Sequence, residues 1–143
     1  MADPKEAMLE FLKAEGYVPT EDGQGIMFKK EGQTYFTFPD AGDPNFFNLF
    51  SYFDFAGAVP SRVLGLEAAN DVNKGVKALK VTLMDEENAN HVSFGLEVPL
   101  PSAEGFREVF DRALSTIAYG VEQFAERMRA RTADPPVVAN PSV

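Results

Sequence analysis

The stretch from Phe46 to Phe55 constrains the fold most, because six of its ten residues are aromatic. In an extended strand successive side chains point to opposite faces of the sheet, so both faces of this strand carry apolar surface. Alternation places Phe47, Leu49, Phe53 and Phe55 on one face and Phe46, Phe50 and Tyr52 on the other. We expect the first set to pack under the chain's long C-terminal helix. The second set needs another cover, which a second copy of the chain or another protein would supply.

The length of 143 residues fits one domain, which we place at residues 1–131, followed by a disordered tail at 132–143 that contains three prolines. The absence of cysteine excludes disulfides, iron–sulfur clusters and thiolate zinc sites, and it fits a reducing cytosol. No basic segment precedes an apolar run, and no run approaches the roughly 20 apolar residues that span a bilayer. We therefore expect a cytoplasmic protein that does not bind membranes.

The net charge of -9 repels phosphate backbones, so we expect no nucleic acid partner. Arg127, Arg129 and Arg131 form a local basic cluster. They lie where a helix C-terminus favours cations, which we prefer over phosphate binding as the reason for the cluster.

The order of elements follows from hydrophobic periodicity and from capping and turn residues. Helices are predicted at about 4–15, from a cap at Ser61 to Gly75, and from Ser102 onward; strands are predicted at 26–30, 33–38, 46–55, 76–84 and 91–100. This α-β-β-β-α-β-β-α order, with short connections between strands, predicts an α+β fold with a five-stranded, largely antiparallel sheet. The aromatic strand is expected at or near its centre.

No motif of catalysis or metal binding is recognisable, so we expect no cofactor, no metal and no enzymatic activity. The lone His91 has no second imidazole and is interpreted as an exposed turn residue. An enzyme that uses a carboxylate pair is the alternative that sequence leaves open, because spatial pairing of acids cannot be read from a sequence. Asn70 and Asn73 share a helix face and suggest either a packing contact or a polar contact in a binding groove.

The segments Leu66–Asn73 and Val76–Val81 resemble the middle of the YbjN-like family of small bacterial proteins, in which an Ala-Asn-x-x-Asn helix end leads directly into a strand. The N-terminal helix with Gly16-Tyr17, the hairpin through Ile26–Phe28 and the C-terminal helix extend the resemblance over most of residues 4–130. The family is labelled a sensory transduction regulator, and its fold is similar to that of type III secretion chaperones. The resemblance therefore implies a small, dimeric, protein-binding fold without chemistry of its own.

Our first hypothesis is a non-enzymatic, cytoplasmic, protein-binding module, chaperone-like or regulatory, that acts as a homodimer, with a protein client as a second candidate partner. Phe46, Phe50, Tyr52 and Phe53 would carry the contact. The alternative is a binder or sensor of a small apolar ligand, with a pocket between the aromatic strand and the long helix.

Overall fold

The computed structural model describes residues 3–132, which contain three α-helices, one 3-10 turn (Ala103–Gly105) and six strands. The helices are α1 (Pro4–Ala14), α2 (Arg62–Gly75) and α3 (Phe106–Thr132). The strands are β1 (Thr20–Asp22), β2 (Gly25–Lys30), β3 (Gln33–Thr37), β4 (Phe46–Asp54), β5 (Leu79–Leu83) and β6 (His91–Pro99). The order across the sheet is β1-β2-β3-β4-β6-β5, and every neighbouring pair is antiparallel. The aromatic strand β4 thus lies in the interior of the sheet.

The α+β class is confirmed, but the prediction of five strands is wrong because β1 adds a sixth. The three residues of β1 are all exposed, so they lack the alternation of apolar and polar residues that indicates a strand. Asp22 pairs with Gly25, which leaves a two-residue turn. Gly23 adopts a φ of 60° in that turn, a value that glycine reaches without steric cost. The sequence from Asp22 to Gly25 is therefore a turn that joins two strands.

Helices α1 and α2 begin where their capping residues predict. The Asp3 carboxylate accepts a hydrogen bond from the Lys5 amide (3.4 Å), and Ser61 Oγ accepts one from the Leu64 amide (3.2 Å). The last helix was predicted from Ser102 onward, but a 3-10 turn at Ala103–Gly105 comes first and α3 begins at Phe106. Helix α3 ends at Thr132, and residues 133–143 of the predicted tail lie outside the described residues. Among residues 3–132, no helix is both long enough and apolar enough to cross a bilayer.

The C-terminal end of α3 is fastened to α2 by Arg131. Its guanidinium donates hydrogen bonds to Asp71 (2.7 Å) and Glu67 (3.4 Å). The hydrogen bond from Arg131 holds the pKa of Asp71 below its ordinary value. Arg129 and Arg131 do lie in the last turn of α3, as expected for cations near a helix C-terminus, but Arg131 also has this specific partner.

The core lies between the helices and one face of the sheet. Leu12 of α1, Val72 of α2 and Phe110 of α3 are buried together with Phe47 and Leu49 of β4. All three helices contribute to this one cluster, so within the described residues the opposite face of the sheet has no helical cover.

Of the two roles that the sequence left open for Asn70 and Asn73, Asn73 has the structural one, a contact that holds a neighbouring strand. Its side-chain amide donates to the Val81 carbonyl (3.0 Å) and accepts from the Val81 amide (2.7 Å). Because β5 is an edge strand, these two bonds occupy a place where another strand would otherwise pair. Asn70 is exposed and makes no side-chain hydrogen bond within residues 3–132.

Candidate functional site

The helix-free face of the sheet carries four aromatic rings in contact, which we call the outer aromatic face: Phe36 from β3, Phe38 just after it, and Phe50 and Tyr52 from β4. The ring centroids of Phe36 and Tyr52 lie 5.2 Å apart, and those of Phe38 and Phe50 lie 5.9 Å apart. Phe50 and Tyr52 stack at 6.2 Å with nearly parallel planes. These separations are typical of favourable aromatic pairs, so the four rings form one continuous apolar surface.

Phe46 belongs to the same face but lies at the end of β4, away from these ring contacts. Its side chain is 38% exposed, close to the 39% of Tyr52. It lines a small cleft of about 50 Å³ together with Pro4 and Ala7 of α1 and Pro44 of the preceding loop. Phe46 therefore extends the apolar surface towards the N-terminal helix.

Two glycines let the rings lie flat on the sheet. Gly95 of β6 pairs directly with Phe50, and a Cβ at this position would overlap the Phe50 ring. A Cβ on Gly25 of β2 would lie 2.6 Å from the Phe38 ring, closer than real Cβ contacts allow. The rings of Phe50 and Phe38 thus lie directly on glycine backbone that carries no side chain, so the outer aromatic face is flat.

Side-chain hydrogen bonds hold β3 against β4 beneath the rings. The Asn48 amide accepts from the Phe38 amide (2.7 Å) and donates to the Phe38 carbonyl (2.9 Å). On the core side, Thr37 Oγ1 donates to the Asn48 carbonyl (2.7 Å), and Ser51 Oγ donates to the Thr34 carbonyl (2.7 Å). Thr37 and Ser51 are both buried, so these bonds satisfy polar groups that would otherwise destabilise the core. They fix the relative position of the two strands that supply the rings.

A polar cluster borders the outer aromatic face beside Tyr52. His91 begins β6, and its ring nitrogens lie 3.5 Å from Asp54 Oδ2 and 3.4 Å from Asp85 Oδ2. The Asn88 amide lies 3.3 Å from His91 Nε2. His91 was predicted to be an exposed turn residue; it is instead a partly buried strand residue between two carboxylates. Among residues 3–132, no group of three or more His, Cys, Asp or Glu side chains is arranged to hold a metal ion.

A groove of about 630 Å³ lies on the other side of the sheet, between α3 and the strand β6. Leu96 and Val98 of β6 and Val109 and Ala113 of α3 line it. The aromatic strand itself leaves no such space beneath α3 at Phe47, which is buried against Phe110 with ring centroids 6.2 Å apart. The groove therefore lies beside β6, whereas at Phe47 of β4 the sheet and α3 are in direct contact.

The structure places three of the four predicted contact residues on one face of the sheet, and it brings two of them, Phe50 and Tyr52, into contact. Phe46, Phe50 and Tyr52 share the helix-free face, whereas Phe53 points to the helical side and packs against Phe94, with ring centroids 5.7 Å apart. Sequence reasoning missed Phe36 and Phe38, the β3 half of the face. A signal was present in the predicted strand 33–38, because alternation along it places Phe36 and Phe38 on one face and Tyr35 and Thr37 on the other. In the structure Tyr35 and Thr37 are buried on the core side.

No protein-family model matches the sequence, and a search of curated proteins finds no match. Solved structures with a similar fold include an uncharacterized protein from Methanothermobacter thermautotrophicus, at 12% identity and a TM-score of 0.63, covering 90% of this chain and 98% of that one. YbjN from E. coli, described as a candidate transcription regulator, matches at 13% identity and a TM-score of 0.60, covering 81% of this chain and 86% of its own. A chain of the HopA1–SchA chaperone–effector complex matches at 13% identity and a TM-score of 0.58, covering 86% of this chain and 94% of that one.

The YbjN-like, chaperone-like fold is confirmed. Identities of 12–13% establish a shared fold and leave function to be argued from the surfaces of this chain.

Proposed function

We propose that the protein is a cytoplasmic protein-binding module, chaperone-like or regulatory, that acts as a homodimer through its outer aromatic face and has no catalytic role. The observation that carries the proposal is the continuous cluster of Phe36, Phe38, Phe50 and Tyr52 on a face without helical cover. Large apolar patches on a soluble domain mark interaction surfaces, and aromatic residues dominate the binding energy of such surfaces.

Electrostatics favour contact at this face despite the net charge of -9. The Tyr52 hydroxyl is neutral at physiological pH, as for any tyrosine with a pKa near 10, and burial raises this pKa further. Farther along the sheet, Lys80 of β5 and Glu97 of β6 form an ion pair at 2.5 Å, so their charges compensate each other. Repulsion between two copies is screened beyond about 8–10 Å at physiological ionic strength. An uncharged patch can therefore associate with its own copy about a twofold axis, as most homodimers do.

The comparisons support the class of function. One structure with this fold is described as a candidate transcription regulator, and another belongs to a chaperone–effector complex. The absence of cysteine in the sequence is consistent with a reducing compartment.

Sedimentation equilibrium of the wild type and of variants tests the proposal. The wild type should sediment as a dimer, and Phe50→Asp and Tyr52→Asp should sediment as monomers because a buried carboxylate at the interface has no partner. Tyr119→Asp is the matched control, since Tyr119 is 53% exposed on α3, away from the outer aromatic face. Circular dichroism confirms that each variant is folded, and Tyr52→Asp keeps the test valid should Phe50→Asp not fold. A monomeric wild type, or a dimer that survives both substitutions, would contradict the homodimer.

A second candidate function is supported by the groove beside β6. Its volume of about 630 Å³ lies within the roughly 300–1,000 Å³ of small-molecule sites, and its lining is largely apolar. A ligand that binds there would raise the thermal stability, by about 2.7 kcal/mol at 100 times its dissociation constant. A thermal-shift screen of small apolar compounds tests this candidate independently of the oligomeric state.

A further inference from the structure

We infer that the groove between α3 and β6 binds an amphiphile of the fatty-acid class, with its apolar chain on the floor and its anionic head group at the basic rim. This inference rests on the second candidate function and names its ligand. The shape of the groove, the signs of the charges that line it and a strained residue at its edge support it.

Leu96 and Val98 of β6 form the floor of the groove, and they are accessible because β5 pairs with only part of β6. Leu79, the first residue of β5, pairs with Leu96, so Val98 of β6 has a partner on β4 but none on β5. Where β5 is missing, the side of β6 that faces the helices is open. Val109 and Ala113 of α3 form the opposite wall, so the space is apolar on both sides.

A close contact between α3 and β5 closes one end. A Cβ on Gly120 would overlap the Leu79 side chain, which shows that helix and strand touch there. The helix residues that line the groove, from Val109 to Tyr119, all lie on the N-terminal side of this contact. The groove therefore ends at this contact and is open to solvent along its length, and its apolar walls suit an apolar chain laid along it.

The charges at the groove are opposite in sign to those of the whole protein. The sequence has 22 acidic and 13 basic residues, yet the charged side chains that line the groove are Lys77 and Arg112, and no described lining residue is acidic. Neither Lys77 nor Arg112 forms an ion pair within residues 3–132. Two cations beside an apolar groove complement a molecule that has an apolar chain and one anionic end.

The backbone conformation of Ala78, which also lines the groove, is independent support for a binding site there. Ala78 has a φ of 64°, a left-handed conformation that residues other than glycine adopt at a steric cost. Such strain concentrates at binding sites, because the surrounding structure must hold the residue in place. The strained turn sets Lys77 at the rim, between the end of α2 and the start of β5.

The protein contains no tryptophan, so a single introduced tryptophan reports on one site. Tyr119→Trp places it in the groove, and Tyr52→Trp places it on the outer aromatic face as the matched control; the two tyrosines are 53% and 39% exposed. The probe is decanoate, below its critical micelle concentration. We expect a saturable fluorescence change in Tyr119→Trp and none in Tyr52→Trp. No change in Tyr119→Trp, or the same change in both variants, would overturn the inference.

The role of the rim is tested in the Tyr119→Trp background. Arg112→Glu should weaken decanoate binding about tenfold or more, because it removes a charge-assisted contact. Arg127→Glu, an equal change of charge on an exposed part of α3 outside the groove, should leave binding unchanged. Equal effects of both substitutions would overturn the inference. Decanol that binds as tightly as decanoate would also overturn it, while the groove would stand as an apolar-ligand site.

Discussion

Gly95 matters because Phe50 occupies the space where its side chain would be. We expect Gly95→Ala to force the Phe50 ring away from β6 and to lower the free energy of unfolding by about 1–3 kcal/mol, the usual cost of overpacking. Urea-induced unfolding measures the change. Gly75→Ala is the control: a Cβ on Gly75 meets nothing within 4 Å, so that variant should be close to neutral.

The Phe50 ring can be tested as the cause in a double-mutant cycle. In a Phe50→Ala background the cost of Gly95→Ala should largely disappear, because the atoms that a Cβ would overlap are gone. A penalty that remains in that background would show that backbone conformation at residue 95, and not the ring, requires glycine.

Because of Tyr35, the free energy of unfolding should fall as the pH rises through the alkaline range. Tyr35 is 2% exposed, and burial, followed by the charge of Glu31, raises its pKa to about 12. In the unfolded chain the same group ionises near pH 10, so between about pH 10 and 12 ionisation favours unfolding. Its contribution is complete below pH 10 and is lost as the pH rises towards 12.

Tyr35→Phe should therefore lose less stability than the wild type between about pH 10 and 12, with a difference on the order of 2 kcal/mol. Urea unfolding at a series of pH values gives the two slopes. Some slope will remain in the variant because the pKa of Tyr17 is also raised by burial. Identical slopes in the two proteins would contradict the assignment to Tyr35.

Among the elements, the edge strand β5 depends on Asn73. We expect Asn73→Ala to lower the free energy of unfolding by about 1 kcal/mol and to speed hydrogen exchange of the Val81 amide, since both Val81 backbone groups lose a partner. Asn70→Ala, three residues earlier on the same helix, should change neither quantity. Unchanged exchange at Val81 in Asn73→Ala would rule out the edge-capping role.

A sequence reveals an element through the spacing of its buried apolar residues. The longer elements have such a pattern and are predicted, whereas the short strand β1 has none and is missed. Helix α3 buries a stripe of residues at three- and four-residue spacing, and that period is visible without a structure. Strand β1 has no buried residue, so its pairing with β2 leaves no hydrophobic pattern. The pairing of Asn73 with Val81 is equally invisible, because it depends on where an edge strand passes a helix end.

For the whole molecule, the sequence predicts which face of the sheet each β4 side chain lies on. It does not predict which residues of other strands these side chains contact. Alternation along β4 correctly separates Phe46, Phe50 and Tyr52 from the core-facing residues. Phe36 and Tyr52 meet only because β3 lies beside β4, and the groove exists only because β5 starts opposite the middle of β6. Contacts of this kind depend on strand order and register, which one sequence does not specify.

A homodimer that covers the outer aromatic face makes stability depend on protein concentration, because unfolding then also separates two chains. A hundredfold increase in concentration should add about 2.7 kcal/mol per dimer and raise the Tm by about 4 °C. Differential scanning calorimetry over that range gives the shift. In Tyr52→Asp the Tm should be lower and independent of concentration, whereas Tyr119→Asp should keep the concentration dependence of the wild type. A constant wild-type Tm would mean that something other than a second copy covers this face, and a protein client would then be the occupant to seek.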